Sequence, residues 1–217
     1  MDLDSLVRLF SGGATRVVGD PDGTWLESDD FNALGDPAAV RDVARLLMRS
    51  VNASALLEDA GFKPVALSDH YHDGKTRTVL LEAHLEARSS MTATLTGPGG
   101  VPRNALPMRS DAAKWVDTAK ADPVVAEVLS WLAGREPDWV ALYKVYEILR
   151  DAEALGLAST ADWKAFTSSS NNVKVSGDGA RHARSPAGTP RRTMTLAEAQ
   201  LFIRGVTREW ITQRSSP

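Results

Sequence analysis

No cysteine occurs among the 217 residues, which excludes disulfide scaffolds and thiolate metal sites. Long apolar runs are missing as well. Stretches such as Val79 to Leu81 fall far short of the roughly 18–20 residues that cross a bilayer, so no membrane insertion is expected. The first residues, Met1-Asp2-Leu3-Asp4, are acidic where a secretory signal is basic and then apolar, which predicts a cytoplasmic protein. No Gly-x-x-x-x-Gly-Lys-Ser/Thr cradle, no Gly-x-Gly-x-x-Gly after a strand and no Gly-x-Ser-x-Gly elbow is present. Nucleotide binding and hydrolysis of those kinds therefore lack support, and no cofactor is expected. Repeats with a period of roughly 20–50 residues are absent too, against solenoids and propellers.

What is there is a chain 43% apolar and 24% charged, enough to bury one sizeable core or two small ones. The formal charge of -3 is unevenly spread: residues 1–110 carry 15 acids and 11 bases, 111–160 carry 9 and 5, and 161–217 carry 4 and 9. The stretch Gly97-Pro98-Gly99-Gly100-Val101-Pro102, followed by Pro107, is incompatible with regular structure and reads as a boundary. It divides a mixed region, residues 1–100, from a helical region, residues 108–217. The expected fold class is α+β, a small antiparallel meander with flanking helices followed by a bundle-like helical region.

In the first region Asp36-Pro37 supplies an N-cap and a first-turn proline for a helix carrying Val40, Val43, Leu47 and Val51. Ser54 reads as the cap of a second, short turn with Leu56 and Leu57, closed by Gly61. A shorter helix is expected over Leu3, Leu6, Val7 and Phe10, and Asp20-Pro21-Asp22-Gly23 reads as the turn of a hairpin. The clearest sheet signal runs from Val65 to Leu95. Asp73-Gly74 predicts a two-residue hairpin pairing His72 with Lys75 and His70 with Arg77. Val79, Leu81, Ala83, Leu85 and Ala87 then share one face, joined by Met91, Ala93 and Leu95 of a third strand across an Arg88-Ser89-Ser90 loop.

The second region is helical wherever it is periodic. Starts are expected at Ser110, Asp122-Pro123, Pro137, Ser159-Thr160 and Thr195, the last as a Thr-x-x-Glu capping box with Glu198. In the final helix Leu196, Ala199, Ile203, Val206 and Trp210 form one apolar stripe. Five of the six tryptophans follow residue 110 and supply the area such a bundle buries. Trp139, Tyr143 and Tyr146, at helical spacing, are assigned to that core rather than to base stacking.

The candidate site is the segment 168–192, read as a long basic loop. It opens with Ser168-Ser169-Ser170-Asn171-Asn172, passes through Gly177-Asp178-Gly179, and sets Lys174, Arg181, His182, Arg184, Arg191 and Arg192 against one acid, Asp178. Small residues let backbone N–H groups turn toward an anion, and guanidinium groups grip phosphate or carboxylate in pairs of hydrogen bonds. Arg181, His182 and Arg184 are expected as anion ligands, with Lys174, Arg191 and Arg192 attracting from farther off. The function implied is a noncatalytic binding or regulatory one, contacting an acidic protein or nucleic acid. The alternative is a nuclease or other hydrolase using His70 and His72 with Asp69. Two imidazoles two residues apart on a strand share a face, but the cations Arg77 and Lys75 expected opposite them disfavour a metal, and none is assigned.

Overall fold

Among the described residues seven α-helices begin where a side chain accepts a hydrogen bond from the first turn, and that local chemistry sets the architecture of the chain. The computed structural model describes residues 3–21, 23–68, 70–72, 77–79, 110–134, 136–180 and 192–216. Helix α1 is Leu3–Leu9. Asp36 caps α2 (Pro37–Glu58) through the Ala38 amide at 3.1 Å, and Ser110 caps α3 (Asp111–Ala121) through Ala113 at 3.2 Å. The Ser110 hydroxyl also donates to the Leu9 carbonyl, tying the start of α3 to the end of α1. Asp122 caps α4 (Pro123–Leu132), and Asp138 rather than Pro137 begins α5 (Trp139–Asp151) by accepting from Ala141 at 2.8 Å. Ser159 caps α6 (Thr160–Ser170), and the Thr195–Glu198 capping box opens α8 (Leu196–Arg214) with both of its reciprocal bonds formed.

Helix α2 differs from expectation. It runs unbroken through Ser54, which is an enclosed helical residue and not a cap. All seven residues from Val51 to Leu57 are buried, so neighbours on every side decide the conformation there. Helix α2 packs against α3 and α4, α4 against α5, and α8 against both α3 and α5. One continuous core results, from Leu6 and Phe10 through Trp115, Leu142 and Phe166 to Ile211. The residues on either side of the proline-rich stretch therefore share a core; residues 97–107 lie outside those described. Of the α8 stripe, Ala199, Ile203, Val206 and Trp210 are buried, whereas Leu196, at the first turn, is 36% exposed.

Strands β1 (Thr15–Asp20) and β2 (Gly23–Ser28) form the expected antiparallel hairpin, with Val17 opposite Leu26 and Asp20 opposite Gly23. A second hairpin joins β3 (His70–His72) to β4 (Arg77–Val79) in a register two residues away from the expected one: His72 faces Arg77 and His70 faces Val79. Since the slip is even, the faces presented by the strands are unchanged. Residues 65–68, expected to begin the first strand, have no regular structure; the Asn52 side chain takes both backbone groups of Val65 instead. The third strand and its Arg88-Ser89-Ser90 loop lie outside the described residues. Among those described there are two separate two-stranded sheets.

The end of α8 is strapped to the joint between α3 and α4. Arg214 pairs with Asp122, and the Thr118 and Ser215 hydroxyls lie 2.8 Å apart. Burial pushes the Asp122 carboxyl up, but the amides of Val124 and Val125 and the Arg214 guanidinium outweigh it and hold the group below the ordinary carboxylate range. A depressed carboxylate contributes stability above its unfolded pKa and loses it as pH falls through the folded one. Asp122→Ala is expected to cost about 1–2 kcal/mol at neutral pH and to flatten the stability profile below about pH 4. Asp122→Asn keeps the cap and loses the pair, so it should cost less than the alanine while flattening the same acid limb. Urea denaturation of both variants from neutral to acid pH measures the difference.

Candidate anion-binding site

The residues around the basic segment are more ordered in backbone than a loop. Ser168 to Ser170 are the last turn of α6; Val173–Ser176 form a short helix, α7; and Gly177–Gly179 continue as a 3-10 turn. The expected loop over 168–192 is corrected accordingly, since its first twelve residues are largely helical. The reason lies in the polar side chains that looked like loop formers. Ser169 is fully enclosed and donates to the Ala165 carbonyl at 2.9 Å, and Ser176 donates to Asn172 O at 3.0 Å. Asn172 caps α7 by accepting from the Lys174 amide at 3.0 Å. Serine and asparagine here serve helix ends, a use of the same chemistry that favours turns elsewhere.

Two glycines shape the exit from α7. Gly177 has φ 56 and ψ −134, a backbone conformation that a side chain would strain. At Gly179 a Cβ would come within 3.3 Å of the Trp139 Cβ, so only glycine lets the chain lie this close to α5. Beneath lies an aromatic cluster in which Phe166 neighbours Trp139, Tyr143, Tyr146, Trp163 and Phe202 with ring centroids 5.7–6.5 Å away. The Trp163 indole N–H donates to Leu155 O at 2.8 Å, which orients the ring and fixes α6 against the preceding turn.

The chain rejoins this platform at Arg192. Its guanidinium pairs with Asp162 at 2.8 Å, and two residues later the Met194 amide donates to the enclosed Ser169 hydroxyl at 2.7 Å. The described residues on either side of 181–191 thus form a neck: Gly179 lies against Trp139 of α5, and Arg192 and Met194 are tied to α6. Asp162 is held low chiefly by the Ser159 hydroxyl; burial opposes this, and the hydrogen bond and charge of Arg192 add to the lowering. Glu198 is held low by the amide and hydroxyl of Thr195, with Arg192 adding attraction. Asp162 thus pairs with Arg192 while accepting from the Ser159 cap hydroxyl, and Glu198 completes the Thr195 capping box within the field of Arg192.

Of the six expected site residues, Lys174 is exposed in the first turn of α7 and Arg192 is the neck cation just described. Arg181, His182, Arg184 and Arg191 lie outside the described residues. The structure therefore places Arg192 as an ion-paired anchor and brings it together with Asp162 and Glu198. Sequence reasoning placed Glu198 in the Thr195 capping box but missed both acids as neighbours of Arg192, although each stands three residues after a Ser or Thr cap, where a carboxylate is fixed and available to a cation. Of the alternative set, His70 is exposed and faces Val79 across the hairpin, His72 faces Arg77, and Asp69 lies outside the described residues. Among the described residues no group of three or more His, Asp or Glu is placed to hold a metal, and no helix is long and apolar enough to cross a membrane. Comparison with known proteins finds no matching family model, no similar curated protein and no similar solved structure.

Proposed function

We propose that this is a cytoplasmic, noncatalytic binding or regulatory protein that uses residues 174–192 to engage a polyanion, either an acidic protein segment or nucleic acid. The observation that carries the reading is a run of basic residues in the sequence whose last member, Arg192, is anchored on Asp162. Residues 179–197 contain Arg181, His182, Arg184, Arg191 and Arg192 and no acid. Arg192 is neutralised at the neck by Asp162, which leaves Arg181, Arg184 and Arg191 as the guanidiniums assigned to the partner. The remaining chain is acidic, so attraction is confined to this segment and the protein as a whole does not adhere to nucleic acid indiscriminately.

The test replaces Arg181, Arg184 and Arg191 together by glutamine. Binding is measured against a single-stranded DNA 12-mer and a poly-glutamate peptide at two salt concentrations. Loss of three phosphate contacts should lower affinity for the DNA by about tenfold at low salt and make the log–log salt slope shallower by about 2. A partner of the acidic-protein kind would show the same loss with poly-glutamate and little with DNA. Unchanged affinity and slope for both probes would overturn the assignment.

A further inference from the structure

Helices α5 and α8 end beside each other, and between their last turns is a cleft of about 240 Å³ lined by Ala152, Glu153, Leu157, Trp210, Gln213 and Arg214. Two features of Glu153 run against local preference. It follows the α5 C-cap with φ 57, the left-handed position that glycine ordinarily fills, and it is the one non-glycine residue of positive φ among those described. It also stands just past the C-terminus of α5 and lines the cleft beside the end of α8, where helix dipoles favour a cation, and although it is the N-cap residue of the 3-10 turn Ala154–Leu157 its side chain makes no cap bond there. No hydrogen bond or ion pair takes up this carboxylate among the described residues. Local choices that oppose both backbone preference and electrostatics mark places where something other than folding sets the residue.

The rest of the lining completes a pattern. Ala152, Leu157 and the Trp210 ring offer apolar walls beside the carboxylate. The indole already lies under a cation, with the Arg214 guanidinium 4.7 Å above its centroid, and Arg214 is itself tied to Asp122. A carboxylate at one end, two helix C-termini and a short apolar wall suit an alkyl chain ending in a positive charge. We infer that this cleft binds a primary alkylammonium group, either a free amine or a lysine side chain of a partner, with the ammonium on Glu153 and the alkyl chain along Leu157 and Trp210. The site is separate from the basic segment and opposite to it in the charge it selects.

The experiment is a titration of the 15N-labelled protein with n-butylammonium, with a lysine capped at both backbone ends, and with butyrate as the control of opposite charge. Saturable shifts are expected at the amides of residues 152–157 and 213–214 and at the Trp210 indole N–H with the two cations. Glu153→Gln should weaken both about threefold while leaving the spectrum elsewhere intact. Tighter binding of the capped lysine would identify a peptide partner, and equal or tighter binding of butylammonium a free amine. Absence of saturable shifts at the cleft, equal binding by Glu153→Gln, or equal binding of butyrate would overturn the inference.

Discussion

Replacing Phe166 by alanine should remove about 3–5 kcal/mol of stability, a substantial fraction of the whole for a domain of this size. The ring is fully enclosed and touches the aromatic side chains of three helices, so its removal leaves a cavity that α5, α6 and α8 cannot close without moving together. Ring pairs such as the edge-on contact of Trp163 with Phe202, at 4.8 Å, lose the neighbour that holds them in place. Phe166→Leu fills most of the space and should cost nearer 1–1.5 kcal/mol, roughly the penalty of a volume-conserving swap. Urea denaturation of the two variants measures both numbers, and near-ultraviolet circular dichroism reports the ordering of the tryptophans. A loss below about 1.5 kcal/mol for the alanine would mean that these rings do not pack as one unit.

Asn52→Ala should cost about 2–3 kcal/mol through a different mechanism. The Asn52 amide donates to Val65 O at 2.8 Å and accepts from Val65 N at 3.0 Å, imitating a strand partner for a segment that has none. Alanine leaves an amide and a carbonyl unsatisfied at a site where Asn52 itself is buried. Asn52→Asp is the sharper variant. It keeps the acceptor for Val65 N but turns a second oxygen toward Val65 O, so the ionised form should be at least as damaging as alanine. Protonation restores a donor, so the pKa of the introduced group is raised and the aspartate variant should regain stability as pH falls, the reverse of the Asp122 dependence. Denaturation midpoints at neutral pH and near pH 4 separate the two outcomes.

These two residues mark the line between what a sequence discloses and what it withholds. Helix starts at Asp36, Ser110, Asp122, Ser159 and Thr195 are legible because a cap and its amide lie two or three residues apart. The apolar stripe of α8 is legible for the same reason. The Asn52 clamp spans 13 residues and joins a helix to irregular chain, with no local signature. Ser54 misleads because a hydroxyl that suits a cap is equally tolerated within a helix once neighbours enclose it. The β3–β4 register differs by two residues from the one read from Asp73-Gly74, and the alternation of the strands carries no warning of it because an even slip leaves their faces unchanged. At the candidate site the positive charge was legible, whereas the helical backbone of residues 168–179 and the neutralising role of Asp162 were not. Both depend on where α6 ends, which the serine-rich composition disguised.

The bond from Met194 to Ser169 short-circuits the chain: two residues 25 apart in sequence are held at hydrogen-bond distance by side chains that belong to the core platform. That contact registers the start of α8 against the end of α6 directly, over and above the covalent path between them. A contact closed across such an interval is only weakly sensitive to how many residues lie within it, since doubling the length costs only about 0.6 kcal/mol in closure entropy.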